Sequence, residues 1–294
     1  MSLSTGTLPF ERISAQDSAH DSALHWYVIA DSAQDPALPA VLDRPSRCLF
    51  DAAPGTPLAE QSPHLVSMAS PADGDPAWQW IARRGPRCPC VTVIASALAF
   101  DALFDRLAAC AEIRLPDGDD MFFAYWDPAI LGTLVGQEDD PTLHVPGPVL
   151  RTEQRAYFAG AIDRWWYWDR AGALHEIRFM AAGESVQAAP FQLNQRQVDD
   201  LVEASMPDHV LYFVELNQPH LFYGFSSMER YGFVCRLLVE ARRIGLESMR
   251  DLVNYVCVAL IYKERIGSDP EIAAILADVS AGTLSFDQAM QRFP

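Results

Sequence analysis

Apolar positions along this chain recur at two different spacings, and the change falls near residue 191. Between residues 21 and 150, short apolar runs alternate with short amphipathic stretches. His25-Trp26-Tyr27-Val28-Ile29-Ala30 predicts a buried strand, Asp31 to Pro36 a turn, and Ala37 to Leu42 a short helix. Cys48-Leu49-Phe50 and Pro63 to Met68 predict a second and a third strand. Asp75 to Arg84 predicts a helix with Trp78 and Ile81 one turn apart. Val91 to Ala95, β-branched and bounded by Pro and Ser, is the clearest strand. Ser96 suits the N-cap of the next helix, on which Phe100, Leu103, Phe104 and Leu107 form one apolar stripe. Glu112 to Leu115 and Met121 to Tyr125 predict a hairpin around Pro116-Asp117-Gly118. Pro128 sits at the first position of a further helix.

Residues 136 to 148 read as loop. Within a connecting segment, residues 151–190, Arg164 to Trp168 and Leu174 to Phe179 predict a second hairpin. From residue 191 to 294 the periodicity is helical throughout. On Met228 to Leu246 the charges Glu229, Arg236, Glu240, Arg243 and Glu247 form one stripe whose successive members can bridge, and most of the remaining circumference is apolar. Ser248 to Lys263 becomes apolar all round after Asn254 and predicts the centre of a helical lobe. Ser268-Asp269-Pro270-Glu271 and the capping box Ser285 to Gln288 start two more helices.

The expected fold class is α+β. It comprises a tail (1–20), an α/β lobe (21–150) with a mixed, mostly parallel sheet plus hairpins, the hairpin segment (151–190) and an all-helical lobe (191–294).

Composition narrows the function. The 294 residues carry 39 acidic against 22 basic side chains, a net charge of −17. Such a balance repels phosphate, which argues against nucleic-acid and anionic-membrane partners. The longest wholly apolar run, Tyr255 to Tyr262, is too short to span a bilayer. The N-terminus lacks the apolar core of a signal peptide. The six cysteines lie partly inside apolar runs and read as free thiols, which predicts a reduced, cytoplasmic protein.

A search for chemistry turns up no phosphate-binding glycine loop, no H-E-x-x-H and no nucleophile elbow. Lys263 is the only lysine, and its apolar surroundings do not suit a carboxylate–lysine nuclease. Cys88 and Cys90 would need two further ligands to hold a metal and read as one buried and one exposed thiol. His64, His144, His175, His209 and His220 share no ligand spacing. Asp117, Asp119 and Asp120 read as a solvated turn. No catalytic residue, metal or cofactor is predicted, and a binding protein is favoured over an enzyme.

Two aromatic groups are candidates for binding. On a strand, Trp165 and Tyr167 point to one side and Trp166 and Trp168 to the other. If only one side enters the core, the other meets the helical lobe, a second subunit or a partner, where Trp and Tyr are frequent anchors. Phe222, Tyr223 and Phe225 sit in a loop between helices and suit either a core or a binding surface.

The order of elements resembles the family built on the domain of unknown function 4123. The resemblance is carried by Trp26 to Ala33 with Asp31 at the strand end, Cys48-Leu49-Phe50-Asp51, Pro63-His64-Leu65-Val66, the Trp78/Trp80 helix, and the run Phe122 to Trp126 leading into Asp127-Pro128. It covers about residues 24 to 150, and Asp31, Phe50, Asp51, Asp127 and Pro128 are its structural motif residues. The arginine usual near the Asp-Pro element is replaced by Ala124 and Ala129. The resemblance implies an adaptor chaperone of the type VI secretion system, which binds an effector protein and hands it to a VgrG-type spike protein. Two alternatives stand beside it: an immunity-type protein that neutralises a toxin, and a hydrolase with an unrecognised site.

Overall fold

The computed structural model describes residues 24–71, 75–179, 192–263 and 265–294. The tail, residues 1–20, lies outside the described residues. The chain divides into two compact units between Leu201 and Val202.

The first unit is built on a sheet. Its elements run β1 (His25–Asp31), α1 (Leu38–Leu42), β2 (Ser46–Cys48), α2 (Pro57–Glu60), β3 (Pro63–Met68), α3 (Pro76–Arg84), β4 (Val91–Ser96), α4 (Phe100–Ala108), β5 (Glu112–Arg114), β6 (Asp120–Phe122), α5 (Pro128–Val135), α6 (Thr152–Ala159), β7 (Arg164–Trp168) and β8 (Leu174–Arg178). The strands form one six-stranded sheet in the order β2-β3-β1-β4-β7-β8, with β5 and β6 as a separate two-stranded sheet.

The sheet is antiparallel, not mostly parallel. All five pairings in the six-stranded sheet are antiparallel. Alternation of strand and helix fixes the layers but not the strand directions. A helix of four residues, such as α2, rises only about 6 Å, whereas the six residues of a strand such as β3 span about 20 Å. So short a helix cannot return the chain for a parallel neighbour. The longer α3 does carry the chain over, from β3 to the like-directed β4, but β1 lies between them, so no parallel pair forms. Local expectations also shift. The strand expected over Met121 to Tyr125 runs from Asp120 to Phe122. Ser96 ends β4 instead of capping α4, whose N-cap is Ala99. The Ser96 hydroxyl donates to the Ala161 carbonyl and accepts from the Leu98 amide. The second predicted strand ends at Cys48, with Leu49 and Phe50 in the turn that follows.

Both faces of the sheet are covered, giving the first unit three layers. On one face Tyr27, Ile29, Leu65, Ile94, Trp165 and Tyr167 join side chains from α4, α5 and α6 in a single core. On the other, Trp26, Val28, Val66, Val93, Trp166 and Trp168 pack with Leu38 and Leu42 of α1 and Trp78 and Ile81 of α3. Gly85, just after α3, lets the second layer close. A Cβ there would lie 2.5 Å from the Trp168 ring, so Gly85→Ala is expected to cost about 1–3 kcal/mol by overpacking, read as a lower urea midpoint.

The second unit is helical. The division falls inside α7 (Gln195–Asn217), which is followed by a 3-10 turn at Pro219–Phe222, α8 (Ser227–Arg243), α9 (Met249–Tyr262), α10 (Arg265–Ser268), α11 (Pro270–Ser280) and α12 (Phe286–Met290). Three predicted starts hold: Ser248 caps α9, Asp269 caps α11, and Ser285 and Gln288 box α12. The helix expected from Met228 starts one residue earlier, behind a capping box of Ser226 and Glu229. Val210, Val214, Phe222, Val234, Leu238, Val256 and Phe286 lie in its core. Among the described residues, no pair within the charged stripe of α8 forms an ion pair. Its neighbours pair across helices instead, Arg230 with Glu215 and Arg242 with Glu203, each at 2.7 Å.

Candidate protein-binding groove

The motif residues converge on one corner of the first unit. Asp31, at the end of β1, accepts from the Trp126 indole at 3.2 Å and from the Ala33 amide at 3.0 Å. The Phe50 ring lies 4.5 Å from that of Phe122 and 5.8 Å from that of Trp126. Asp51, at a positive φ of 52°, pairs at 2.9 Å with Arg47, whose guanidinium lies 3.8 Å from the centre of the Phe104 ring. Asp127 caps α5 and Pro128 opens it. Asp31 and Asp127 thus hold a turn and a helix start, Phe50 packs its ring, and Asp51 holds an ion pair.

The consecutive aromatics of β7 are interior. Trp165, Trp166, Tyr167 and Trp168 are each under 5% exposed, and α1 and α3 of their own unit cover the face left open in the sequence reading. The loop aromatics divide. Phe222 is fully buried, Tyr223 is 77% exposed, and Phe225 is half-buried with its ring 5.9 Å from Phe222 and from Phe233.

A second buried cluster ties the loop after α5 to the β7–β8 hairpin. His175 lies with Nε2 3.0 Å from Asp169 and Nδ1 3.2 Å from Asp139. The Tyr167 hydroxyl donates to Asp140 at 2.9 Å. Asp140, Asp169 and His175 place one ligand atom each within 4.8 Å of one another, the spacing of a metal site. The lone pairs are already engaged, however. Asp140 also accepts from the amide and hydroxyl of Thr142, and Asp169 from the amides of Ala171 and Ala173. Two carboxylates, one buried and one exposed, flank the imidazole and clamp it. Burial alone would lower the His175 pKa, but the hydrogen bond to Asp169 and the charges of Asp140 and Asp139 raise it above the ordinary value.

The cysteine and aspartate motifs are local. Cys90 is buried and Cys88 half-buried, both free. Burial, first of all, pushes the Cys90 thiol up. Asp117 closes its turn on the Asp119 amide, and Asp120 pairs with Arg114.

The surface suited to a partner is a groove of about 620 Å³ in the second unit. One wall is the segment before α8, with His220, Leu221, Tyr223 and Phe225. A second is one face of α8, where Phe233, Arg236, Leu237 and Glu240 follow at i, i+3, i+4 and i+7. The third is the end of α9, Ala259, Leu260 and Lys263, with Ile266 beyond it. Tyr223 and Phe225 were legible beforehand as loop aromatics. Phe233, Arg236 and Lys263 were not, although a sole lysine at the end of an apolar helix was a visible signal.

Residues 26–144 match the family model described as Domain of unknown function (DUF4123). The DUF4123 segment contains every motif residue above and ends before β7 and β8, so the sheet it begins is completed by strands outside the matched span. No curated protein matches the chain, and no solved structure does. Among the described residues, no helix is long and apolar enough to cross a membrane.

Proposed function

We propose that this chain is a non-catalytic adaptor chaperone, working in the cytoplasm, that binds a cognate type VI secretion effector and promotes its loading onto the VgrG spike. The observation that carries the reading is the DUF4123 match over residues 26–144. The groove of the second unit has the chemistry of a protein-binding surface: an apolar floor, aromatic side chains and a charged rim. The acidic body, at −17, suits a carrier that keeps an aggregation-prone client in solution.

The test is co-purification of the tagged full chain with the products of neighbouring genes, followed by size-exclusion chromatography with light scattering. A stable complex with a large effector or a spike protein is the expected result. A monodisperse chain with no partner from that set rejects the adaptor reading. A partner that is toxic alone and silenced by this chain points instead to an immunity protein.

A further inference from the structure

We infer that the groove of the second unit docks an amphipathic helical segment whose apolar side chains enter between α8 and α9 and whose carboxylates meet Arg236 and Lys263. The inference names a site and a partner chemistry for the adaptor reading and rests on it only for the partner's identity.

Three observations support it. First, the floor is apolar and the polar groups are at the rim. Leu237, Ala259 and Leu260 are buried beneath the groove, and no buried polar side chain converges on it as in sites for small polar metabolites. Second, the rim charge opposes that of the whole molecule. In a chain of −17, the groove presents two cations against one carboxylate. Neither Arg236 nor Lys263 forms an ion pair among the described residues. Arg236 lies 5.2 Å from the centre of the Phe233 ring. The one carboxylate, Glu240, accepts from the Tyr255 hydroxyl at 3.4 Å. Two exposed cations beside an apolar trough attract an acidic, apolar segment and disfavour a basic one. Third, the ends of the groove are set for contact. Tyr223 is 77% exposed, so its ring is open to contact. Lys263 holds a φ of 50°, a backbone region that L residues rarely occupy and that gathers at functional positions.

The mode of docking follows from the walls. Strand addition needs a free sheet edge, and the described residues of this unit contain no strand. A helix offers anchors at i, i+3, i+4 and i+7, matching the spacing of Phe233, Arg236, Leu237 and Glu240 on the facing wall.

The experiment is a fluorescence-polarisation titration of the full chain with two labelled helical peptides. Both carry Leu and Phe on one face; one has Glu on the flanks and the other Lys at the same positions. The glutamate peptide is expected to bind saturably and about tenfold tighter or more. The double variant Arg236→Glu/Lys263→Glu is expected to reverse that preference, and Tyr223→Ala to weaken both peptides. All three side chains are exposed, so circular dichroism should be unchanged. If the charge reversal misfolds, Arg236→Gln/Lys263→Gln should abolish the preference without reversing it. Equal affinity for the two peptides, an unchanged preference in the variants, or no saturable binding overturns the inference. A natural partner that co-purifies equally with the charge-reversed chain rejects the groove and leaves the adaptor reading standing. Failure to find any partner, with the peptide preference intact, does the opposite.

Discussion

Trp166→Ala should cost about 3–5 kcal/mol, enough to remove much of the roughly 5–15 kcal/mol by which a domain is held folded. Trp166 has no exposed surface. Its ring stacks on Trp26 at 5.6 Å, and Trp26 in turn meets Trp78 of α3 edge-on at 6.1 Å. Truncation leaves a void that links β7, β1 and a covering helix, and close-packed neighbours collapse into it only partly. Urea unfolding followed by circular dichroism reads the effect as a large drop in midpoint, or as a protein that does not accumulate folded. Tyr223→Ala is the control and should stay within about 0.5 kcal/mol of the parent. A Trp166→Ala variant with a parental midpoint would mean that this indole is not part of the core.

Removing the imidazole of the clamp is the second large effect. His175→Ala leaves the Asp169 carboxylate, 1% exposed, without its imidazole partner, at a cost of about 1–3 kcal/mol. The loss should depend on pH, and the sign follows from the shifts. The His175 pKa is raised in the fold, so its contribution is complete below the unfolded value of about 6.5 and is lost as pH rises through the higher folded value. The Asp139 pKa is lowered, by its hydrogen bond to Gln137 first and by His175 after it. Its contribution is present above the ordinary carboxylate range and lost as pH falls. The clamp is therefore strongest between the two. The unfolding midpoint of the parent should fall as pH rises from about 6.5 through the raised His175 value, and His175→Gln should flatten that slope. An identical slope in the variant would assign the pH dependence to other groups.

Local structure was largely legible. Pro63–Met68 came out with its predicted ends, and Asp75, Ser248, Asp269 and Ser285 cap the helices they were expected to start. Caps and short apolar runs act within a few residues, so nearby sequence specifies them. The hairpin Arg164 to Arg178 was read from its turn for the same reason. The helix Thr152–Ala159 was not, because its apolar residues, Ala156 to Ala159, are consecutive and give it little amphipathic pattern.

Of the candidate binding residues, Tyr223 and Phe225 line the groove, while the β7 aromatics and Phe222 lie in cores. Alternation along β7 correctly separated Trp165 and Tyr167 from Trp166 and Trp168. It could not say that α1 and α3, more than 80 residues earlier, would cover the second face. The clamp and the groove were hidden for a related reason. Asp140 meets Tyr167 across 27 positions, and Arg236 comes into one groove with Lys263 only when α8 and α9 pack.

By itself, the sequence determined most of the strands and helix starts, the acidic balance and the order of motifs that marks residues 26–144, because each is written in neighbouring residues or in composition. Only the tertiary structure decided that the sheet is antiparallel, that both its faces are buried, and that two cations border an apolar groove. Those outcomes depend on which distant elements meet, and burial, not local pattern, selects the partners.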